Sequence, residues 1–107
     1  MMVKVAILGY GVVGSGVYEI IHKNAQSLAR KAGKEIVVTH ILDIRDFPDH
    51  PEAALFTKDY NDILNDPEVS VVVEVLGGCH PAYEFTKSAL LAGKHVVSSN
   101  KELVATH

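Results

Sequence analysis

The chain has 107 residues, of which 48% are hydrophobic and 21% charged, with a net charge of -3. This is the composition of one soluble globular domain; it excludes a disordered segment and lacks the basic footprint a nucleic-acid partner requires. The single cysteine, Cys79, excludes an internal disulfide, and the apolar start meets glycines too early for a signal peptide or a membrane span, so a cytoplasmic protein is expected.

Val3 to Leu8 is a continuous aliphatic and β-branched run, as in strands buried on both faces of a parallel sheet. Gly9-Tyr10-Gly11-Val12-Val13-Gly14 follows directly, and a helix is predicted from Val12 to Lys31. In that helix Val13, Val17, Ile20, Ile21 and Leu28 are expected to form the apolar stripe, with Gly33 as the stop. Ile36 to Leu42 reads as a second strand. Asp43 to Thr57, with two prolines among charges, reads as a loop. A short helix is expected over Asp59 to Leu64 and a turn at Asn65-Asp66-Pro67. Val69 to Val75 forms a third strand. Pro81 opens a helix that runs to Ala92 and stops at Gly93. His95 to Ser98 is a fourth strand, and Glu102 to Thr106 begins another helix.

Strands alternating with helices predict an α/β fold with a doubly wound, Rossmann-type parallel sheet. Four strands fall short of the usual six, so residues 1–107 read as one dinucleotide-binding domain truncated at its C-terminus.

The GxGxxG spacing is weak alone, but here a buried strand precedes it and an amphipathic helix follows it. Gly9 permits a tight turn, Gly11 lets backbone approach a pyrophosphate, and Gly14 lets helix and strand pack closely. The helix N-terminus adds free N–H groups and a positive dipole end. An acid at the end of the second strand favours NAD through the ribose 2′-hydroxyl, whereas an arginine there accommodates the 2′-phosphate of NADP. Asp43, Arg45 and Asp46 offer both signs; the reading favours NADP through Arg45, with NAD as the alternative.

Gly77 and Gly78, at the end of the third strand, allow backbone to lie against a flat ligand. Glu74 reads either as ligand-facing or as a structural acceptor. Ser98-Ser99-Asn100-Lys101 ends the fourth strand on the crevice side. At a helix start, a positive dipole end and partial desolvation would lower the pKa of Lys101 and suit it to general-acid work; the plainer alternative is a solvated lysine. Cys79 and His80 receive no role. The six histidines show no ligand spacing, so no metal site is expected.

Taken together, KVAILGYGVVGSGV, VVVEVLGG and AGKHVVSSNKELVATH resemble homoserine dehydrogenase in order and spacing across nearly the whole chain. The resemblance implies reduction of L-aspartate 4-semialdehyde to L-homoserine with NADPH or NADH, and the reverse, on the route to threonine and methionine. It implies that Gly9 to Gly14 bind the cofactor, with Val12 and Val13 packing on it and Arg45 as the basic residue. It implies further that Asn100 and Lys101 are the family's Asn-Lys segment, the lysine catalytic. Ser98 and Ser99 replace the more usual Thr and Ala. The family's substrate-binding acids, second catalytic lysine, dimer contacts and cation site lie in a second domain, so the chain alone is expected to bind cofactor without turnover and the parent to be a homo-oligomer acting on a small molecule. Two rivals remain: a glucose–fructose oxidoreductase-like domain, which usually has Glu-Lys-Pro where this chain has Asn100-Lys101-Glu102, and a non-catalytic nucleotide-sensing module.

Overall fold

The computed structural model describes residues 2–32, 35–76 and 82–98. The elements are β1 (Met2–Leu8), α1 (Val12–Ala32), β2 (Glu35–Leu42), a 3-10 turn (Ala53–Leu55), β3 (Phe56–Thr57), α2 (Asn61–Leu64), β4 (Val69–Glu74), α3 (Ala82–Leu91) and β5 (His95–Ser98). The predicted strands and main helices stand within two residues of their expected bounds. The predicted helix at 102–106 lies outside the described residues.

One expectation is corrected. The segment from Asp43 to Thr57 is not all loop: Phe56 and Thr57 pair in parallel with Ile41 and Leu42 and give the sheet a fifth strand. Two residues carry no periodicity, so composition could not reveal the strand.

All pairings are parallel, in the order β3-β2-β1-β4-β5. The chain winds outward from β1 in one direction and then, from β4, in the other. The switch point therefore lies between β1 and β4, where open α/β sheets form their ligand crevice. The register aligns the strand ends: Thr57, Leu42, Leu8, Glu74 and Ser98 stand in one row across all five strands.

Two apolar layers cover the sheet. On one face Ile7, Val38 and Ile41 pack with Tyr18, Val17 and Ile21 of α1. On the other, Ala6, Leu8, Leu42 and Val72 pack with Ile63 of α2 and with Phe85 and Ala89 of α3. Both faces of β1 are thus buried, which is why it reads as an unbroken apolar run.

The inward stripe of α1 is also corrected. Gly14, Val17, Tyr18 and Ile21 face the sheet, at i, i+3, i+4 and i+7. Val13 and Ile20 are instead 55% and 61% exposed; the side chain of Leu28 lies outside the described residues. Gly14 and Tyr18 complete the stripe through close approach and aromatic area, neither of which a count of aliphatic residues includes.

Lys94 is buried, its ammonium donating to the carbonyls of Asp66 and Val69 at 2.8 Å each. It ties the α3–β5 connection to the turn before β4. No described helix is long and apolar enough to cross a membrane.

Candidate dinucleotide-binding site

The glycine loop leaves β1 at the switch point. Gly9 adopts φ +103°, a conformation only glycine holds without strain, and its N–H donates to Leu42 O at 2.8 Å. A Cβ on Gly14 would stand 1.9 Å from Gly9 O, so helix and loop meet at a distance only hydrogen permits. A Cβ on Gly11 would meet nothing within 4 Å, which leaves its approach side open. These three environments suit the turn, the helix packing and the ligand approach expected of the three glycines. The first turn of α1 carries no acidic residue, so its positive end is uncompensated by its own side chains. Val12 is 92% exposed there.

Arg45 comes to the loop from the end of β2. Its Nε donates to Asp43 Oδ1 at 3.0 Å, and its Nη2 donates to Asp43 Oδ2 at 2.9 Å and to Tyr10 O at 3.0 Å. Asp43 also accepts the N–H of Tyr10 at 2.9 Å and that of Arg45 at 2.8 Å. Hydrogen bonding from the Arg45 side chain, reinforced by those backbone donors, lowers the Asp43 pKa from 3.8 to about 2 against an opposing desolvation. The same carboxylate raises the guanidinium pKa. The Asp43 side chain is 7% exposed and that of Arg45 is 58% exposed. The acid is therefore the inner member of the pair and the cation the outer one. Phe47 lies beneath the guanidinium, with Cζ 5.2 Å from the ring centroid.

Tyr10 contributes its backbone to the loop and its side chain elsewhere. Its ring packs edge-on against Tyr18, Phe47, His50 and Phe56. His50 Nδ1 accepts the N–H of Glu52 at 2.9 Å. In the neutral ring that leaves the proton on Nε2, which donates to the Tyr10 hydroxyl at 2.9 Å. Tyr18 donates to Glu52 Oε1 at 2.7 Å. Burial raises the pKa of both tyrosines, with the Glu52 carboxylate adding to it for Tyr18 and the charge of Glu19 for Tyr10. The cluster pins the segment after β2 against the loop.

Two clefts meet at Arg45. One, of about 440 Å³, runs from Gly9 and Gly11 past Ile44 to Leu76 and Phe85. The other, of about 690 Å³, lies toward Phe47, Pro48 and Phe56. Asp43, Arg45 and Lys58 line both. Lys58 follows the terminal row of the sheet by one residue, as Asp43 and Gly9 do, and pairs with Asp46 at 2.8 Å. Sequence reading missed it because the strand that places it was itself invisible.

On the far side of the switch point, Glu74 is fully buried, and its alternatives resolve to a structural acceptor. It takes the N–H of Leu76 at 2.6 Å and the hydroxyl of Ser98 at 2.7 Å. Ser98 thus spends its hydroxyl proton within the sheet. Gly77, Gly78, Cys79, His80, Ser99, Asn100 and Lys101 lie outside the described residues.

Known proteins match this arrangement. The family profile described as homoserine dehydrogenase, NAD binding domain, covers residues 9–107. Homoserine dehydrogenase from Pseudomonas aeruginosa is 42% identical over 106 residues, 98% of this chain and 24% of the relative. A crystal structure of the S. aureus homoserine dehydrogenase at pH 6.5 superposes with a TM-score of 0.89 at 40% identity, over all of this chain and 28% of that one. The enzyme from Thiobacillus denitrificans gives 0.86 at 38% identity, over 99% and 25%. The chain spans about a quarter of the length of these relatives. The fold, the glycine loop and these alignments over nearly the whole chain lead to one conclusion: the chain belongs to the homoserine dehydrogenase NAD-binding domain family.

Proposed function

We propose that residues 1–107 form the cofactor-binding domain of a homoserine dehydrogenase and that the preferred cofactor is NADP(H). The carrying observation is Arg45, held at the end of β2 beside the glycine loop with its outer face in solvent. The loop from Gly9 to Gly14 and the N-terminus of α1 take the pyrophosphate. Val12 and Val13 pack on the dinucleotide, and Arg45, with Lys58 nearby, takes the 2′-phosphate. Gly77, Gly78, Ser98, Ser99 and Asn100 are the further cofactor contacts of this reading. NAD is the less favoured cofactor, because the acid that would hold its ribose is already engaged by Arg45 and Tyr10.

Reduction of L-aspartate 4-semialdehyde to L-homoserine adds a hydride to the aldehyde carbon and a proton to its oxygen. When bound, the nicotinamide supplies the hydride. Lys101, the lysine of the Asn100-Lys101 segment, supplies the proton from its ammonium and recovers it in the reverse direction. The chain binds, orients and shields, and turnover belongs to a longer cytoplasmic protein, a homo-oligomer, whose other parts hold the substrate.

Calorimetric titration with NADPH and NADH, before and after Arg45→Ala, tests this reading. Loss of a charge-assisted phosphate contact should weaken NADPH by about 10- to 100-fold and leave NADH nearly unchanged. Equal weakening of both, or no binding of either by the unaltered protein, would contradict it.

A further inference from the structure

An acid at the end of the second strand ordinarily marks the ribose 2′-hydroxyl of NAD. Asp43 stands there, but its carboxylate is fully used. A carboxylate offers about four lone-pair sites. Here the donors are the N–H of Tyr10 and the N–H, Nε and Nη2 of Arg45, all between 2.8 and 3.0 Å. The second Nη2 proton goes to Tyr10 O at 3.0 Å. One edge of the guanidinium is therefore fixed against the acid and the loop, and Phe47 supports its face. Of five N–H donors, three are committed, and Nη1 makes no hydrogen bond among the described residues.

We infer that Asp43 is a positioning residue for cofactor discrimination: it holds Arg45 rigidly against the glycine loop so that Nη1 is presented to a 2′-phosphate. The inference rests on the reading that Arg45 contacts that phosphate. A free arginine side chain must surrender its rotamer freedom when it binds an anion, and one already fixed by a carboxylate and a carbonyl does not. The clamp also links the loop to the specificity site, because Tyr10 contributes both its N–H and its carbonyl.

Electrostatics and positioning predict opposite signs, so the two can be told apart. A carboxylate close to a 2′-phosphate repels it. If charge alone mattered, Asp43→Asn would tighten NADPH. If Asp43 positions Arg45, the same variant weakens NADPH, because its amide nitrogen faces donors and cannot accept from them. The experiment measures NADPH and NADH dissociation constants in the full chain for Asp43→Asn, Arg45→Ala and the double variant.

The expected result is NADPH weakened about tenfold relative to NADH by Asp43→Asn, as for the loss of one preorganised charge-assisted contact. The double variant should discriminate no worse than Arg45→Ala alone. A merely structural role would weaken both cofactors together. NADPH binding unchanged or tighter in Asp43→Asn, with Arg45→Ala still selectively weakened, would overturn the positioning role and leave the phosphate contact standing. No selective effect of Arg45→Ala would overturn the phosphate contact and the inference with it. If Asp43→Asn does not fold, Arg45→Lys reads the same property. It keeps the charge but cannot make the three-point attachment, and should weaken NADPH selectively. Unchanged discrimination in Arg45→Lys would overturn the inference.

Discussion

Asp43 is a residue whose identity could be read in the sequence and whose task could not. At the end of β2 it satisfied the rule for a ribose-binding acid, yet that rule takes no account of what two residues later does to the same carboxylate. Asp43-Ile44-Arg45 closes a local ring in which Arg45 occupies both oxygens. The pair has a consequence for stability. The folded-state pKa of Asp43 is depressed from 3.8 to about 2. Its stabilising contribution is thus fully present above the ordinary value and is lost as pH falls from about 4 toward 2. Urea denaturation of the unaltered protein and Asp43→Asn should show a gap at pH 5 that closes toward pH 2. A gap of constant size would contradict the assignment. Glu74 and Lys94 make the same point from inside the fold: each is a charged residue type, and each is buried with at least one hydrogen-bond partner far away in sequence.

At the scale of elements, the legible features were those with a local cause. The aliphatic runs gave β1, β2 and β4, and the glycine spacing gave the turn into α1. What escaped depended on partners distant in the chain. β3 exists because Ile41 and Leu42 offer an edge to Phe56 and Thr57. The buried face of α1 is turned toward Gly14 and Tyr18 because the helix sits on the loop itself. Gly14→Ala tests that seating. A methyl group there would meet backbone at 1.9 Å and has no flexible side chain to displace. The helix would have to lift from the loop, at a cost of about 1–3 kcal/mol by overpacking. Thermal unfolding should register the loss, and cofactor binding should weaken with it. An unshifted melting temperature would show that loop and helix are not in firm contact. Gly11→Ala, with open space at that position, should leave folding intact.

At the scale of the whole molecule, the doubly wound sheet brings its strand ends into one row and turns them toward a single crevice. Gly9, Asp43 and Lys58 each follow that row by one residue. This is how three segments far apart in sequence come to line one cleft. The α/β class and this crevice could be derived from the sequence because alternation and one motif suffice for both. Lys58, the second cation at its edge, could not, since its placement requires β3. In the proposed function this crevice takes a phosphorylated dinucleotide along the glycine loop and out to Arg45. The most direct measurement is an amide and guanidinium NMR titration of the protein with NADPH. The N–H signals of Gly11 to Ser15 and the Nε–H of Arg45 should shift together, saturating at one concentration. Shifts confined to another face, or an Arg45 signal that stays still while the loop moves, would contradict it.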